Sequence, residues 1–350
     1  MRRSKKILVG NVPIGGDSPV SIQSMTTVEA KDVVKTVAQI KRLEKAGCQI
    51  VRVAVPDQEC AEAILKIKQK IKIPIVADIH FHYKLAILCI KNGADKIRLN
   101  PGNITEPYKI EKVLSLAKKY KVPVRIGLNS GSVQRTHSRS LVDDLVYSGL
   151  DYLKFFEKCG FGQTIFSLKT NNVCTTIKAY EKMAKFTDAP LHLGVTATGL
   201  PLDGIVKSSI GIGALLLKGI GDTLRVSLSC DPVKEVEVAR KILYALNLRN
   251  SGIEIISCPT CGRCKIDLFK QIRAAEKKLK ILEKKFLKRR LKVAIMGCVV
   301  NGPGEAKDAD LGIAWGQGKG VLFKKGKKIK TVTQQDSLDV LFKEVSDEVD

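Results

Sequence analysis

From residue 20 to about residue 247, short apolar β-rich runs alternate with longer amphipathic helical patterns, and no other feature limits the fold of this chain as strongly. Strand candidates fall at 20–25, 50–55, 74–79, 96–100, 122–129, 164–169, 191–196 and 223–229. Helix-length segments such as 31–46, 57–70, 106–120 and 175–185 lie between successive candidates, and 232–246 follows the last. Repeated strand–helix units imply parallel strands, and eight of them close most simply into a TIM (β/α)8 barrel. The alternative is an open doubly wound sheet, but no Gly-x-Gly-x-x-Gly fingerprint follows any strand.

The strand candidates carry charge where a buried parallel sheet should carry none. Gln23, Arg52, Asp78 with His80, Arg98 with Asn100, Arg125 with Asn129, Lys169, His192 and Arg225 are embedded in strands or end them. An unpaired charge in a sheet interior is costly, so these side chains should gather where water or a ligand reaches them. In a barrel that place is the C-terminal mouth. Any one of them alone reads as a structural ion pair. Arg52, Arg98, Arg125, Lys169 and Arg225 at comparable points of five units read as a set, and converging guanidinium groups grip phosphate oxygens in fork geometry. The expectation is a mouth that binds a small, phosphorylated anion.

A composition change at 248–252 divides the chain into a barrel, 1–250, and a small α/β (α+β) domain, 251–350. In the second part, 253–257 and 292–296 read as strands with a basic helix between them, 311–315 and 321–323 as further strands, and 337–345 as a closing helix. The two strands deliver Cys258-Pro259-Thr260-Cys261-Gly262-Arg263-Cys264 and Met296-Gly297-Cys298-Val299-Val300-Asn301-Gly302-Pro303-Gly304-Glu305. A Cys-x-x-Cys turn plus a third cysteine from a Gly/Pro-rich loop makes a soft-ligand site for zinc or an iron–sulfur cluster. Cys264 would complete a closed four-thiolate site, whereas Glu305 would be a hard, exchangeable fourth ligand that leaves a position open to substrate. Spacing alone does not choose. The glycine-rich turn at 316–320 has no helix-opening Lys-Ser/Thr after it and is given no phosphate-binding role.

The remaining composition narrows the class. Ten cysteines in a large chain argue for thiols and metal ligands over a disulfide framework; Cys48, Cys60, Cys89, Cys159, Cys174 and Cys230 lack ligand spacing and read as small buried hydrophobes. The longest apolar-or-glycine run, 210–217, is too short to span a bilayer, and the 7–9 run after a basic start is too short for a signal-peptide core, so a cytoplasmic protein with no membrane partner is expected. The formal charge is +25, from 60 Lys+Arg against 35 Asp+Glu. Much of it lies in 265–292, outside an apolar stripe of Leu268, Ile272, Ala275, Leu279, Leu282 and Phe286. That face reads as solvated, or as a dock for an acidic electron carrier. A zinc-ribbon nucleic-acid binder using Cys258, Cys261, Cys264 and Cys298 would leave the barrel unexplained, and 5% aromatic residues is thin for base stacking.

The two cysteine stretches resemble those of the 4-hydroxy-3-methylbut-2-enyl diphosphate synthase family, an iron–sulfur oxidoreductase family of the methylerythritol phosphate route to isoprenoids. The resemblance extends over the barrel through residues 76–81, 97–104, 124–132, 192–196, 207–213 and 221–228. It implies a [4Fe-4S] cluster on Cys258, Cys261, Cys298 and Glu305, with Cys264 a spare thiol. It implies diphosphate binding by Arg52, Arg98, Arg125, Lys169, Arg225 and Ser227, with Asp78, His80, Asn100 and Asn129 around the substrate and reaction centre. The implied reaction is reductive ring opening of 2-C-methyl-D-erythritol 2,4-cyclodiphosphate, with electrons delivered singly from a flavodoxin or ferredoxin. The implied assembly is a homodimer in which one subunit's cluster domain caps the other's barrel. A barrel enzyme with a structural zinc site is the alternative. One position departs from the family: Thr196-Ala197-Thr198-Gly199 stands where the family reads Thr-Glu-Ala-Gly, so a favoured acid is replaced by alanine. Thr198, His80 or a bound water substitutes for it, or the protein is slower, altered in substrate or inactive. If the gap matters, Ala197→Glu raises turnover under a strong chemical reductant by a large factor over the natural chain, and equal rates show that it is compensated.

Overall fold

The computed structural model describes residues 2–80, 82–100, 104, 106–131, 133, 140–196, 198–249, 252–286, 289–298, 304, 307–316 and 318–348. The chain forms two compact units, Met1–Leu248 and Arg249–Asp350.

The first unit opens with a small antiparallel hairpin, β1 (Ile7–Val9) and β2 (Val12–Ile14). Eight parallel strands then alternate with eight helices. They run β3 (Ser21–Met25), α1 (Val33–Ala46), β4 (Ile50–Ala54), α2 (Gln58–Lys68), β5 (Ile75–Ile79), α3 (Tyr83–Lys91), β6 (Lys96–Leu99), α4 (Pro107–Lys119) and β7 (Val124–Asn129). They continue with α5 (Leu141–Lys158), β8 (Thr164–Lys169), α6 (Val173–Phe186), β9 (His192–Leu193), α7 (Pro201–Leu217), β10 (Thr223–Leu224) and α8 (Pro232–Ala245). The strand order β8-β7-β6-β5-β4-β3-β10-β9 is that of a ring, and a parallel bridge from Phe166 to Leu191 joins its two ends. The barrel expectation is met.

Local chemistry sets the helix starts. Asp32, Asp57, Ser140, Asn172 and Asp231 accept a backbone N–H of the first helical turn, and proline opens α4, α7 and α8, where its missing N–H costs nothing. β9 and β10 are shorter than their sequence patterns suggest. At that point Gly194 is hemmed in: a Cβ there would meet Lys169 Nζ and the Arg225 carbonyl oxygen, each at 2.6 Å.

The hairpin is a feature that periodicity misses, because three-residue strands are too short to show one. Ile7, Val9 and Ile14 pack with Ile50, Val76 and Ile165 near the N-terminal ends of β4, β5 and β8. The hairpin thus plugs the barrel at the end opposite the mouth and keeps water from the floor of the interior.

In the second unit one sheet has the order β11-β12-β13-β14-β15: β11 (Gly252–Ser257), β12 (Arg290–Met296), β13 (Leu311–Gly316), β14 (Lys319–Lys324) and β15 (Lys327–Thr333). The first three are parallel and the last two add antiparallel hairpins. Helix α9 (Leu268–Leu282) joins β11 to β12, and α10 (Ser337–Asp347) closes the unit. The expected stripe holds: Leu268, Ala275, Leu279 and Phe286 are buried with Val293, Ile295, Ile313 and Trp315. The glycine-rich segment is the β13–β14 turn, with Gly316 opposite Lys319. β15 escapes a sequence reading because Lys327, Lys328 and Lys330 dominate it. An edge strand lined with exposed lysines resists pairing with other chains.

Ile14 is fully buried in the plug. Ile14→Ala should cost about 2–5 kcal/mol of stability, read as a lower urea midpoint with an unchanged slope.

Candidate functional site

Strand register brings the predicted cations together inside the barrel. Asp78, Arg98 and Arg125 are paired across β5, β6 and β7, Met25 is paired with Arg52 across β3 and β4, and Asn129 with Lys169 across β7 and β8. Arg98, Arg125 and Lys169 are buried, and the side chains of Arg52 and Arg225 are 13% and 17% exposed. The sequence reading missed a sixth cation: Lys96, fully buried, donates to Gln23 Oε1 at 3.3 Å. Its position two residues before Arg98, on the same strand face, was the available signal.

Two carboxylates answer these six cations among the described residues. Asp78 receives Arg98 Nη1 at 3.2 Å and faces Arg52 Nε at 3.7 Å and His80 Nε2 at 3.4 Å. Glu235, on α8, takes Arg225 in a fork, with Nη2 3.2 Å from Oε1 and Nε 3.3 Å from Oε2. It also accepts the Ser24 hydroxyl at 3.2 Å and the Leu228 N–H at 3.0 Å. Sequence reasoning missed Glu235 because a glutamate on an amphipathic helix reads as solvated. Met25 lies between the two arrangements, its sulfur 2.8 Å from Arg52 Nη2 and 3.8 Å from Arg225 Nη1. Gly127 is required by this packing: Arg98 donates to its carbonyl oxygen at 3.1 Å, and a Cβ would lie 2.4 Å from Arg98 Nε.

The charge balance leaves marks on the titrating groups. Burial alone would raise the Asp78 pKa, but Arg52, His80 and Arg98 outweigh it and hold the carboxyl well below its usual range. Burial lowers Arg52 to about 10, against the pull of Asp78 and with the push of Arg225 and Arg98. Lys169, Arg125 and Lys96 are driven well below their ordinary values by burial first and by neighbouring cations second. His192, fully buried, is pushed down by the same causes. Arg125 Nε and Nη1 are buried with no hydrogen-bond partner among the described residues, as are Arg98 Nε, Asn100 Oδ1 and His192 Nε2.

His80, Asn100 and Asn129 stand at the C-terminal ends of β5, β6 and β7. His80 has a side chain 46% exposed beside buried Asp78, placing an imidazole at the edge of the cationic interior. Asn100 is buried at the end of β6, and Asn129 ends β7. The Ser227 carbonyl oxygen accepts the Thr198 hydroxyl, and the Thr198 carbonyl oxygen accepts Lys207 Nζ at 3.3 Å. Thr198 is therefore a poor stand-in for the missing acid, since its one proton is already donated. Ala197 lies outside the described residues.

The thiols of the second unit emerge from neighbouring strands. Ser257 pairs with Ile295 in parallel register, so Cys258 and Cys298 follow the C-terminal ends of β11 and β12. The Gly297 N–H donates to Cys258 Sγ at 3.2 Å, tying the loop after β11 to the end of β12. Cys261 is exposed, Cys258, Cys264 and Cys298 are half-buried, and Glu305 lies outside the described residues. Among the described residues no group of three His, Cys, Asp or Glu side chains is gathered tightly enough to hold a single metal ion. Three soft donors on two loops from adjacent strands suit an iron–sulfur cluster in kind, but the structure does not gather Cys258, Cys261 and Cys298 into one ligating group.

Residues 4–240 match the GcpE TIM-barrel domain, and residues 254–347 match the GcpE protein C-terminal domain. The chain belongs to the GcpE family. GcpE relatives carry the name 4-hydroxy-3-methylbut-2-en-1-yl diphosphate synthase (flavodoxin). That of Fusobacterium nucleatum is 49% identical, covering 100% of this chain and 98% of the relative. Those of Caldanaerobacter subterraneus and Caldicellulosiruptor saccharolyticus are each 52% identical over 98% of this chain, covering 96% and 98% of the relatives. Membership supports the reductive reading of the sequence and not the zinc or nucleic-acid alternatives. Dihydropteroate synthases share the fold alone. The enzyme of Vibrio fischeri ES114 is 18% identical, with TM-score 0.52 over 70% of this chain and 99% of its own. That of Stenotrophomonas maltophilia is 14% identical, with TM-score 0.53 over 68% and 98%. No described helix is long and apolar enough to cross a membrane.

An anion entering the barrel should restore protons to the depressed amines. Lys169 and Lys96 have folded pKa values well below 10.5, so the unliganded protein binds fewer protons there than an exposed lysine would, and a bound polyanion raises both. Calorimetric titration with sulfate, which has no titrating proton of its own near neutral pH, should therefore show net proton uptake, seen as a binding enthalpy that changes with the buffer's ionisation enthalpy. The same enthalpy in two such buffers contradicts the assignment.

Proposed function

We propose that this chain catalyses the reaction for which its relatives are named, reducing 2-C-methyl-D-erythritol 2,4-cyclodiphosphate to 4-hydroxy-3-methylbut-2-en-1-yl diphosphate. The observation that carries the reading is the barrel interior, where six cations meet two carboxylates and Arg125 keeps two buried nitrogens unpaired. A diphosphate supplies the missing negative charge and the missing acceptors at once.

Arg52, Arg98, Arg125, Lys169, Arg225 and Ser227 bind the diphosphate, with Asn100 and Asn129 orienting the remainder of the substrate. Asp78 holds Arg52 and Arg98 in place, and Glu235 holds Arg225 through two hydrogen-bonded oxygens. A preorganised guanidinium loses less freedom on binding than a mobile one. His80, hydrogen-bonding distance from Asp78 and partly exposed, is the group able to deliver a proton as the hydroxyl oxygen leaves as water.

Cys258, Cys261, Cys298 and Glu305 hold a [4Fe-4S] cluster in this reading. When bound, it supplies electrons one at a time together with a Lewis-acidic iron. Support comes from the donor set and from the Gly297 N–H on Cys258 Sγ. The electron donor is a flavodoxin or a ferredoxin, drawn to the basic surface of a chain with charge +25. The active form is a cytoplasmic homodimer, which sedimentation of the full chain would test.

Protein loaded with iron and sulfide under anaerobic conditions should turn over the cyclodiphosphate with dithionite or a reduced flavodoxin. Glu305→Gln should lower the rate at least tenfold while leaving substrate affinity in place. Carrier-driven reduction should slow as ionic strength rises, whereas dithionite-driven turnover should respond far less. Colourless protein holding stoichiometric zinc sinks the cluster reading.

A further inference from the structure

Cys264 has no role in the reading above, yet it is built into the same loop as two of the proposed ligands. Residues 261–264 form a tight turn: the Cys264 N–H donates to the Cys261 carbonyl oxygen at 2.9 Å, with Gly262 and Arg263 at the corner. The ends of such a turn have Cα atoms under about 7 Å apart, a spacing that overlaps the disulfide range of about 4.4–6.8 Å. Cys261-Gly262-Arg263-Cys264 is thus a second Cys-x-x-Cys overlapping the first.

The first pair is arranged differently. Cys258 is engaged with the end of β12, its sulfur accepting the Gly297 N–H at 3.2 Å. Cys264 also packs on Gly297, its sulfur 2.8 Å from where a Cβ would stand, and its thiol donates to the Ile266 carbonyl oxygen at 3.4 Å. Exposed Cys261 is the sulfur an outside reagent meets, and half-buried Cys264 stands at the other end of the same turn.

We propose that Cys261 and Cys264 form a reversible disulfide in the unloaded protein, which withdraws Cys261 from the ligand set and blocks cluster loading until it is reduced. The oxidant is a small disulfide such as oxidised glutathione. The Cys261 thiolate attacks one sulfur and releases one thiol, leaving a mixed disulfide. The Cys264 thiolate then attacks the Cys261 sulfur and releases the second thiol, so two cysteines lose two electrons and one small disulfide gains them. Shielding matters most for a loop whose sulfurs are exposed before metal arrives. The gating half of the proposal rests on the cluster reading above; the disulfide itself does not.

The test uses the full chain without metal, treated with oxidised glutathione, alkylated and digested with trypsin. Cleavage after Arg263 separates the two sulfurs, so the expected bond joins residues 250–263 to Cys264-Lys265, with fragment ions placing the link on Cys261. In Cys264→Ser the same treatment should leave glutathione on Cys261, because the resolving thiol is gone. Treated natural chain should bind at least tenfold less iron than untreated chain, and dithiothreitol should restore it. Untreated Cys264→Ser should load normally, which shows that the loop still folds. A Cys258–Cys261 or Cys258–Cys264 bond, glutathione persisting on Cys261 of the natural chain, or no reaction overturns the proposal. If the bond forms but untreated chain takes up no iron and sulfide, the cluster reading and the gating fall while the disulfide stands.

Discussion

An excess of buried positive charge is the constraint to which the first unit is fitted. Lys96, Arg98, Arg125 and Lys169 are buried in or at the end of barrel strands, and Arg52 and Arg225 are nearly so. A barrel interior is ordinarily filled by branched apolar side chains, and replacing them with cations costs stability that no residue of the barrel returns in full. Asp78 and Glu235 neutralise part of it, and the remaining attraction is available to an anion. In the proposed function that cost is offset when a diphosphate fills the interior.

Several distant features exist to make that arrangement tolerable. Gly127 leaves space for the Arg98 guanidinium, and Gly194 leaves space for the Lys169 ammonium. Glu235 reaches from α8 to brace Arg225 while also receiving Ser24 and Leu228, so one helix residue ties together β3, Arg225 and the segment after β10. The β1–β2 plug supplies apolar packing at the closed end, where Ile7, Val9 and Ile14 meet Ile50, Val76 and Ile165. Hydrophobic packing is concentrated at the plugged end, although Lys96, paired in register with Val76 of that cluster, is buried there too.

The second unit uses a different principle. Its sheet and two helices form an apolar core around Trp315, whose indole N–H donates to Ser337 Oγ at 3.1 Å. The candidate ligand thiols sit on loops beyond the ends of β11 and β12. Parallel register sends both loops the same way, so Cys261 and Cys298, 37 positions apart in sequence, follow neighbouring strands. Loops suit the proposed role, because thiols that take up a metal need access that a packed core denies.

Much of this was legible in the residues themselves. The alternation of strand and helix, the apolar stripe of α9 and the cationic residues within strands report local periodicity and burial cost, which a sequence carries directly. Arg98 and Arg125 were recognisable as members of one set before any fold was known, because a charge inside an apolar strand has few places to go. Glu235, Lys96, Gly127 and the hairpin plug were not, and neither was the commitment of Thr198 to the Ser227 carbonyl. Those depend on which strand lies beside which and at what register, and contacts across 200 residues of chain, such as that of Ser24 with Glu235, leave no local pattern. Sequence determined which chemistry the chain possesses; tertiary structure decided which groups are paired and which are left for a ligand, because pairing is set by distance in space and not by distance along the chain.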